Sequence, residues 1–299
     1  MGNLSIGSLS IMTSIVTFNL HGFNNGFSML KELCTSHDII AVQEHWLRPD
    51  SLNKLGLIDL DFNFHAVSGM TSAVSHGIIR GRPFGGVGFL WRKSVNCFVQ
   101  FIDAEPSGRC IVIKINCGPK SILLFNIYCP CSDTSCEYKS QIGLLVGFIE
   151  KVLINVTHTD SIILGDTNFS VNDNNAGYLI VHPFLENYEL TACEDLIVGP
   201  DRCTYVNEAF GHSSCIDHFF VSAAVRSAIN CISIVDSAVN NSDHRPVLLD
   251  LDSSFCLSPA SRNRAPVSEH KAYNIRWDKG DISAYYGLSG CAISDIQLD

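Results

Sequence analysis

Short apolar runs separated by polar turns recur along the whole chain, and this pattern predicts a mixed α/β protein. Most runs have the length and the β-branched content of buried strands. The predicted strands are Ile11–Phe18, Asp38–Gln43, Phe62–Val67, Gly86–Trp91, Val95–Phe101, Arg109–Asn116, Ser121–Ile127, Ser161–Leu164, Thr204–Val206, Ile216–Ser222, Cys231–Val235 and Pro246–Leu251. Helical spacing of apolar residues predicts helices at Phe27–Cys34, Glu137–Asn155 and Asn174–Glu186. Many strands with few helices, in two similar halves, predict two sheets packed face to face with helices outside.

Residues 12–252 are predicted to form one domain, because no linker-like segment interrupts this strand-rich region. Residues 1–11 form a short lead, and residues 253–299 are predicted to be a linker and a tail. Ser253–His270 is rich in Ser, Pro, Arg and Asn, a composition typical of linkers. The apolar runs are far shorter than the ~20 residues that a membrane-spanning helix needs. We therefore expect no membrane partner. The chain is also expected to be a monomer.

Composition favours a folded protein in a reducing compartment. Only 17% of the residues are charged and 46% are hydrophobic, which suits a large buried core. The 13 cysteines are scattered without the spacing of a disulfide framework. Cys129-Pro130-Cys131 lacks the second paired half of a zinc site. Free thiols, and a location in the cytoplasm or the nucleus, are the expectation.

Six polar motifs stand out, and most of them follow a predicted strand. Ends of buried strands are rigid positions at which side chains can converge. Carboxylates in these motifs can hold a hard divalent cation and transfer protons, while Asn, Tyr and His can bind a water or a phosphate. The motifs are Phe18-Asn19-Leu20-His21-Gly22, Gln43-Glu44-His45-Trp46, Asn126-Ile127-Tyr128, Gly165-Asp166-Thr167-Asn168, Ile216-Asp217-His218 and Ser242-Asp243-His244-Arg245-Pro246-Val247.

In this order the motifs resemble those of the endonuclease/exonuclease/phosphatase superfamily, which includes apurinic endonucleases and DNase I-like nucleases. The chain looks most like the endonuclease domain of non-LTR, LINE-type retrotransposons, over about residues 12 to 253. The resemblance implies a four-layer α/β sandwich of two packed, largely antiparallel β-sheets flanked by helices. It also implies a DNA endonuclease that depends on Mg²⁺, with Mn²⁺ as an alternative, and leaves a nick with a 3′-hydroxyl.

The resemblance also implies partners. In a LINE element the 3′-hydroxyl would prime reverse transcription, so DNA, a reverse transcriptase domain and the element RNA are the expected partners. The segment Trp277–Tyr286 resembles the connector that follows the nuclease in such polyproteins. No polymerase motif follows it, so the tail is interpreted as preceding an absent polymerase domain.

Three residues are assigned to the metal shell by the resemblance, namely Glu44, Asn19 and Asp243. Glu44 directly follows a predicted strand, where an ordinary surface glutamate capping the strand would also fit. Some relatives carry an Asp two residues after the Asn, and His21 stands there in this chain, which favours a one-metal site. His218 follows a motif Asp where many relatives carry an aromatic residue, so packing rather than catalysis is expected of it.

The catalytic roles implied by the resemblance fall on Asp166, Asn168, Asp217, His244 and Tyr128. Asp166 would position and deprotonate the attacking water, and Asn168 would hold that water or a phosphate oxygen. His244 would stabilise charge on the phosphate, while Asp217 accepts from its other ring nitrogen. Tyr128 would donate a hydrogen bond to the phosphate, with a buried core tyrosine as the alternative.

The charge distribution bears on DNA binding. A net charge of −10 is unfavourable for a nucleic-acid enzyme, because phosphate binding is driven largely by Lys and Arg. The segment Arg80–Lys120, however, carries seven basic residues and two acidic ones. Both an ordinary solvated face and a strip along one DNA backbone fit this segment. The DNA-binding candidates are Arg80, Arg82, Arg92 and Arg109.

Two other functions stay open from the sequence. The first is a phosphatase or phosphodiesterase of the same fold that acts on inositol phosphates, sphingomyelin or RNA poly(A), because the same catalytic residues serve all of these reactions. The second is a decayed, non-catalytic module that only binds nucleic acid. The complete set of motif residues speaks against this second alternative, because binding alone would not require them.

Overall fold

Most apolar runs form β-strands in the structure, a computed structural model that describes residues 13–77, 83–117, 120–131, 135–171, 175–199, 202–207, 209–252 and 255. In chain order the strands are β1 (Thr13–Asn19), β2 (Ile39–Gln43), β3 (Phe62–Val67), β4 (Val87–Arg92), β5 (Val99–Ala104), β6 (Cys110–Cys117), β7 (Lys120–Tyr128), β8 (Asp160–Asp166), β9 (Thr191–Ala192), β10 (Ile197–Val198), β11 (Tyr205–Asn207), β12 (His212–Ser214), β13 (Asp217–Val221), β14 (Ile229–Ile234) and β15 (Val247–Leu251). Every predicted strand overlaps a strand of the structure.

The helices are α1 (Phe23–Ser36), α2 (Thr71–Ser75), α3 (Cys136–Asn155), α4 (Ala176–Asn187) and α5 (Ala223–Ser227), with 3₁₀ segments at Pro49–Leu57, Lys93–Phe98 and Glu194–Leu196. The three predicted helices correspond to α1, α3 and α4. Two of them begin at side-chain caps, since Ser135 accepts a hydrogen bond from Tyr138 N and Asn175 accepts one from Gly177 N. Among the helices that the structure describes, none is long and apolar enough to cross a membrane.

Two sheets carry the fold. The strand order is β10-β14-β15-β1-β2-β4-β3 in the first sheet and β5-β6-β7-β8-β13-β9 in the second, while β11 and β12 form a separate hairpin. Most neighbours are antiparallel, and each sheet has a parallel pair near its centre, β1 with β2 and β7 with β8. These sheets confirm the prediction of two largely antiparallel sheets.

Three apolar cores separate four layers. The middle core lies between the sheets, where alternate strand residues of each sheet point toward the other. Helix α1 covers the outer face of the first sheet, and α3 and α4 cover the outer face of the second. Fully buried representatives of the middle core are Ile15, Ala41, Phe89, Ile113, Leu124, Leu164 and Leu249. The α/β sandwich predicted from the sequence is therefore the fold of the chain.

The predicted strand Val95–Phe101 is wrong in its first half. The structure has a 3₁₀ segment at Lys93–Phe98, and the strand starts only at Val99. This segment carries the chain from β4 in the first sheet to β5 in the second. Val95 is buried in the core between the sheets, so the apolar signal came from a sheet-to-sheet crossing and not from strand pairing.

The predicted division at residue 252 stays a prediction. Ser253–His270 and the tail lie outside the described residues, apart from Phe255. Phe255 is buried against the core between the sheets, and Lys120 Nζ lies 3.6 Å from the centre of its ring. A cation at this distance from an aromatic face is attracted to it. Contacts with the domain therefore extend at least three residues past the predicted end.

Strand pairing also brings the polar motifs to one edge of the sandwich. Parallel strands end at the same edge of a sheet, so β1 and β2 deliver Asn19 and Glu44 together, and β7 and β8 deliver Tyr128 and Asp166. Strand β13 runs antiparallel to β8, and its first residue, Asp217, lies opposite Asp166. Strand β15 is antiparallel to β1, so the motif that precedes β15 reaches the same edge.

Gly165 should tolerate no side chain. Its φ is 136°, and a Cβ placed on it would lie 2.0 Å from the carbonyl oxygen of Ile127. We predict that Gly165→Ala lowers the free energy of unfolding by about 3 kcal/mol or more, measured by urea denaturation. Gly147→Ala on α3 is the control, because no atom of the described residues lies within 4 Å of a Cβ placed there, and the change should raise stability by about 0.5–1 kcal/mol. Equal effects of the two substitutions would contradict the steric argument.

Candidate active site

The Asn19 side chain joins the two sheets at this edge. Its Nδ2 donates to Glu44 Oε1 at 2.9 Å and to Asp166 Oδ2 at 2.8 Å, and its Oδ1 accepts from His21 N at 2.9 Å. Asn19 is fully buried at the end of β1. One amide therefore fixes a carboxylate of the first sheet relative to a carboxylate of the second sheet.

Glu44 sits in a strained turn directly after β2. Its φ is 49°, and Trp46 in the same turn has a φ of 54°. Such left-handed residues each cost about 1–3 kcal/mol and persist where the surroundings hold them. Trp46 Nε1 donates to Glu44 Oε2 at 3.0 Å, so both carboxylate oxygens of Glu44 accept a hydrogen bond from the protein. The Glu44 carboxylate is thereby set in a single orientation.

Asp166 is buried at the end of β8. Besides the bond from Asn19, its Oδ1 accepts from the backbone N–H of Asn168 at 2.8 Å. Burial raises the pKa of Asp166 well above its usual range, the charge of His244 lowers it, and the neighbouring Asp217 raises it again. Asn168 has a φ of 54°, and its Nδ2 donates to the Cys129 carbonyl at 2.9 Å.

Asp217 and His244 form a buried pair. His244 Nδ1 lies 2.9 Å from Asp217 Oδ2, and His244 Nε2 points toward Asp166, 3.9 Å from its Oδ2. That separation is too long for a direct hydrogen bond. Burial lowers the pKa of His244, but the charge and the hydrogen bond of Asp217 outweigh it and raise the pKa to about 10. The ring is therefore a cation at neutral pH, with Nε2–H as its remaining donor.

His21 pairs with Asp243 at the mouth of the site. His21 Nδ1 lies 2.5 Å from Asp243 Oδ1, and the His21 ring meets Trp46 edge-on at 5.1 Å. Burial raises the pKa of Asp243, but the hydrogen bond with His21 and the charge of His244 outweigh it and hold the pKa below the ordinary value. Ser242 Oγ donates to the Asn19 carbonyl at 2.8 Å and thereby holds this loop against β1.

An open cleft of about 480 Å³ lies over these groups. Glu44, Tyr128, Asn168, Asp243 and His244 line it. Asn19, Asp166 and Asp217 are buried. The structure thus brings all eight residues predicted for metal binding and catalysis to one place. Hairpin β11–β12 forms one wall, contributing Tyr205, His212 and Ser214.

Tyr128 stands at the other side of the cleft, at the end of β7. Burial, followed by the charges of Glu44 and Asp166, raises the pKa of its hydroxyl, so Tyr128 stays a hydrogen-bond donor at any physiological pH. The guanidinium of Arg109 lies 5.3 Å from the centre of the Tyr128 ring and donates to the Tyr128 carbonyl at 3.3 Å. Of the four predicted DNA-binding arginines, Arg109 is therefore beside the site.

Arg92 is not brought to the site. Strand β4 runs antiparallel to β2, so its last residue, Arg92, lies at the sheet edge opposite to Glu44. Its guanidinium donates to the carbonyls of Cys34 and His37 and lies 3.7 Å from the buried carboxylate of Asp38. It therefore holds the end of α1. Arg80 and Arg82 lie outside the described residues, and their role stays a prediction.

Two side chains below the site were not assigned a function from the sequence. Gln43 Nε2 donates to Asn126 Oδ1 at 2.7 Å and to Thr17 Oγ1 at 3.0 Å, and Asn126 Nδ2 donates to the carbonyls of Val42 and Gly88. All of these contacts are buried. Asn126 belongs to the second sheet and its partners to the first, so this network joins the two sheets one residue before Glu44 and two residues before Tyr128. Both residues were part of motifs, which was the signal available for finding them.

The donor set of the site fits a hard divalent cation. Glu44 and Asp243 line the open cleft and offer carboxylate oxygens, which are the ligands that Mg²⁺ prefers. Asp166, Asp217 and His244 have candidate ligand atoms within 4.8 Å of one another, although His244 Nδ1 is already bound to Asp217. Asn19 holds two carboxylates and does not line the cleft, so it would orient ligands.

Comparison with known proteins identifies the family. The chain matches the Endonuclease/Exonuclease/phosphatase family over residues 16–244, so it belongs to this family of hydrolases, and the superfamily predicted from the motifs is confirmed. No curated protein matches the chain.

Solved structures with the same fold include three nucleases. The chain is similar to the 3′-5′ exonuclease NExo from Neisseria meningitidis, with a TM-score of 0.61 and 18% identity over 80% of this chain and 100% of that one. It is similar to the AP endonuclease LMAP from Leishmania major, with a TM-score of 0.63 and 15% identity over 81% and 88%. It is also similar to the endonuclease domain of TRAS1, a telomere-specific non-LTR retrotransposon, with a TM-score of 0.57 and 14% identity over 81% and 99%.

The contact between Asp217 and His244 predicts that the two residues work as one unit. Asp217→Asn and His244→Ala should each slow phosphodiester cleavage by roughly 10²-fold or more, the scale of losing a charge-stabilising group. The double variant should be little slower than the slower single variant, because groups that act together are strongly non-additive. Steady-state rates at matched purity test this.

The control is the exposed pair of His182 and Glu186 on α4. His182 Nδ1 lies 3.5 Å from Glu186 Oε2, and neither residue belongs to one of the six motifs. Its alanine variants should leave the rate unchanged. Multiplicative losses for Asp217 and His244 would mean that they act separately.

Proposed function

We propose that the chain is a DNA endonuclease that nicks one strand by water attack and leaves a 3′-hydroxyl. The observation that carries the proposal is the convergence of eight motif residues from both sheets on one open cleft. A decayed binding module would not need this network of bonds around buried carboxylates. The similarity in fold to an AP endonuclease and to a retrotransposon endonuclease supports DNA as the substrate.

Asp166 is the proposed base. Its raised pKa makes it a stronger base than an ordinary carboxylate, and proton transfer to such a group contributes about 10²–10⁴-fold to a rate. Asn168 lines the cleft next to Asp166 and would hold the attacking water or a phosphate oxygen. The two side chains are fixed to each other through the Asn168 N–H, so a water bound there would be oriented before it attacks.

His244 and Tyr128 are the proposed phosphate contacts. Within the part of the chain that the structure describes, His244 Nε2 has Asp166 Oδ2 only at 3.9 Å, and a phosphate oxygen bound to this cationic N–H would receive a charge-assisted hydrogen bond. Tyr128 would donate its phenolic O–H to another phosphate oxygen. Both donors act on charge that grows in the transition state, which is where such donors are most effective.

Glu44 and Asp243 would hold Mg²⁺, with Mn²⁺ as a substitute, and Asn19 would orient Glu44. A divalent ion bound there supplies positive charge that neutralises the phosphate during cleavage. His21 contacts Asp243 at 2.5 Å, and Trp46 donates to Glu44 at 3.0 Å. Such supporting bonds fix the orientation of metal ligands.

The walls of the cleft offer features that suit a nucleic acid. Phe210, at the tip of hairpin β11–β12, is 85% exposed. An exposed aromatic ring on the hairpin that forms one wall of the cleft could stack on a base or wedge between bases. Arg109 is held beside Tyr128 and would contact the DNA backbone. If the protein comes from a retrotransposon, the tail after residue 252 would lead toward a reverse transcriptase domain, and the element RNA would be a further partner.

One observation favours a second candidate, a phosphoesterase of the same fold acting on a substrate other than DNA. Among the described residues that line the cleft there is no Lys and no Arg. The chain as a whole carries a net charge of −10. A small phosphorylated substrate needs fewer cationic contacts than a DNA backbone does, because DNA affinity depends on how many phosphates are neutralised. Inositol phosphates, sphingomyelin and RNA poly(A) are the substrates to compare.

Incubation with supercoiled plasmid tests the proposed function. We predict nicking that requires a divalent ion, stops with EDTA and returns with Mg²⁺. Asp166→Asn should slow nicking by at least about 10²-fold, because it removes the base and keeps the shape of the side chain. The nicks should be extended directly by a DNA polymerase, which requires a 3′-hydroxyl.

Asp160→Asn is the matched control, because Asp160 is a buried aspartate at the opposite end of the same strand, bound to Thr159 and Ser222. It should keep full activity. If Asp166→Asn nicks DNA as fast as the wild-type protein does, Asp166 is not the base. Faster turnover of a small phosphoester with no nicking would favour the second candidate.

Arg109 and Arg92 should differ in their effect on DNA binding. Arg109→Gln should weaken binding to all sequences and lower the slope of log affinity against log salt by about one unit, the effect of losing one phosphate contact. Arg92→Gln should leave this slope unchanged and lower the free energy of unfolding by about 1–3 kcal/mol, because it leaves the buried Asp38 without its cation. Titrations at several salt concentrations measure the slope. A normal slope for Arg109→Gln would exclude Arg109 from the DNA contact.

A further inference from the structure

His218 is a buried histidine with an acceptor at each ring nitrogen. Its Nε2 lies 2.8 Å from the backbone carbonyl of Phe169, and its Nδ1 lies 2.5 Å from Glu194 Oε1. The His218 side chain is 0% exposed and that of Glu194 is 12% exposed. Because a carbonyl can only accept, Nε2 must carry a proton. Nδ1 faces the Glu194 carboxylate at ion-pair distance, which favours a proton on Nδ1 as well.

The charge balance around His218 agrees with this geometry. Burial lowers the pKa of His218, but hydrogen bonds and charges from Cys215 and Glu194 outweigh it and raise the pKa to about 10. A buried ion pair of this kind adds little to stability compared with apolar packing. Its position next to Asp217 and the Asn168 turn points instead to a role in fixing geometry.

The bond from His218 acts on the residue after Asn168. The Phe169 carbonyl also accepts from Thr167 Oγ1 at 2.8 Å, so both of its acceptor positions are filled. The rings of His218 and Phe169 stack at 6.3 Å, and the Phe169 side chain is buried. Asn168, just before it, is left-handed and holds Asp166 through its N–H. The contacts that His218 and Thr167 make with the Phe169 carbonyl therefore also hold this strained turn in place.

His218 also reaches a distant part of the chain. It directly follows Asp217 on β13, and its partner Glu194 starts the 3₁₀ segment that follows β9. The ion pair therefore ties three segments together: the turn after β8, the start of β13 and the segment at Glu194. Two of these segments carry Asp166, Asn168 and Asp217.

We infer that His218 and Glu194 form a positioning pair, which holds the Asp166–Phe169 turn in the geometry that the reaction needs. The inference rests on the proposed phosphodiester cleavage and names residues that act only through others. Neither residue touches substrate. Since a misplacement of about 1 Å can cost about 10²-fold in rate, loss of the bond to Phe169 should lower kcat and leave KM nearly unchanged.

Two variants isolate this bond. Both carry Glu194→Gln, which avoids a lone buried carboxylate and can still hydrogen-bond to a neighbour. His218→Gln in this background keeps an amide donor at the position of Nε2, whereas His218→Phe keeps the ring and loses the donor. We expect His218→Gln to stay within about 3-fold of the Glu194→Gln parent in kcat, and His218→Phe to fall at least about 10-fold, with KM within about 3-fold in both.

Hydrogen exchange of the Asn168 backbone amide gives a readout that does not need activity. Its N–H donates to Asp166 Oδ1, so exchange should be at least about 10-fold faster with His218→Phe than with His218→Gln. Asp195→Asn is the control. Asp195 lies on the same 3₁₀ segment as Glu194 but pairs with Arg226 of α5, so the change weakens that pair and leaves the contact with Phe169 intact. It should change neither kcat nor exchange at Asn168.

The outcomes distinguish failure of the positioning pair from failure of the proposed nuclease activity. Equal kcat and equal Asn168 exchange in the two His218 variants would overturn the positioning pair, as would an equally large effect of Asp195→Asn. If the wild-type protein cleaves no DNA while Asn168 exchange still differs as expected, the proposed nuclease fails and the positioning of the turn stands. If His218→Phe does not fold, comparison of Glu194→Ala with Glu194→Gln by the same exchange measurement tests the pair, with faster exchange expected for Glu194→Ala only.

Discussion

The hydrogen bonds that Asn19 makes to Glu44 and Asp166 are the constraint on which the rest of the site depends. The sheets meet through an apolar core, and burial of apolar area is non-directional, so the core alone cannot set how far one sheet slides over the other. Directional polar bonds can set it. Asn19 at the edge, and Gln43 with Asn126 just below it, join the sheets at two successive levels. Buried hydrogen bonds to charged groups contribute about 1.5–3 kcal/mol each, and a broken one leaves a buried group unpaired.

Parallel strands explain why motifs that are far apart in the sequence converge in the structure. A motif at the end of a strand reaches the edge at which that strand ends, and the central pairs β1–β2 and β7–β8 each deliver two motifs to one edge. Short apolar runs were enough to predict these strands, and the order of the motifs was enough to predict the sandwich. The fold and the eight converging residues were therefore accessible from local pattern and resemblance together.

What local pattern could not supply is the direction of a strand and its distant partners. Arg92 belongs to a basic stretch of the sequence, yet β4 runs antiparallel to β2 and carries it to the far edge, where it holds α1. Val95 looked like part of a strand because it is apolar, although it serves a crossing between sheets. The contact of Glu194 with His218 joins residues from separate segments, and charge alone does not indicate it. Each of these features depends on tertiary packing, which residue spacing does not encode.

An acidic chain binds a phosphate more readily where its own carboxylates are already paired, and three carboxylates of the site each have donors of their own. His244 compensates Asp217, His21 compensates Asp243, and the amide of Asn19 with the indole of Trp46 satisfies Glu44. Several of these groups lie in turns after the strands, where His21, Glu44, Trp46 and Asn168 are left-handed. Backbone strain of this kind is kept only where many bonds over-determine the conformation. The cost of the strained turns is thus offset by the pairing of buried charge, and the same pairing leaves one cationic N–H of His244 directed toward Asp166, where a water or a phosphate would be bound.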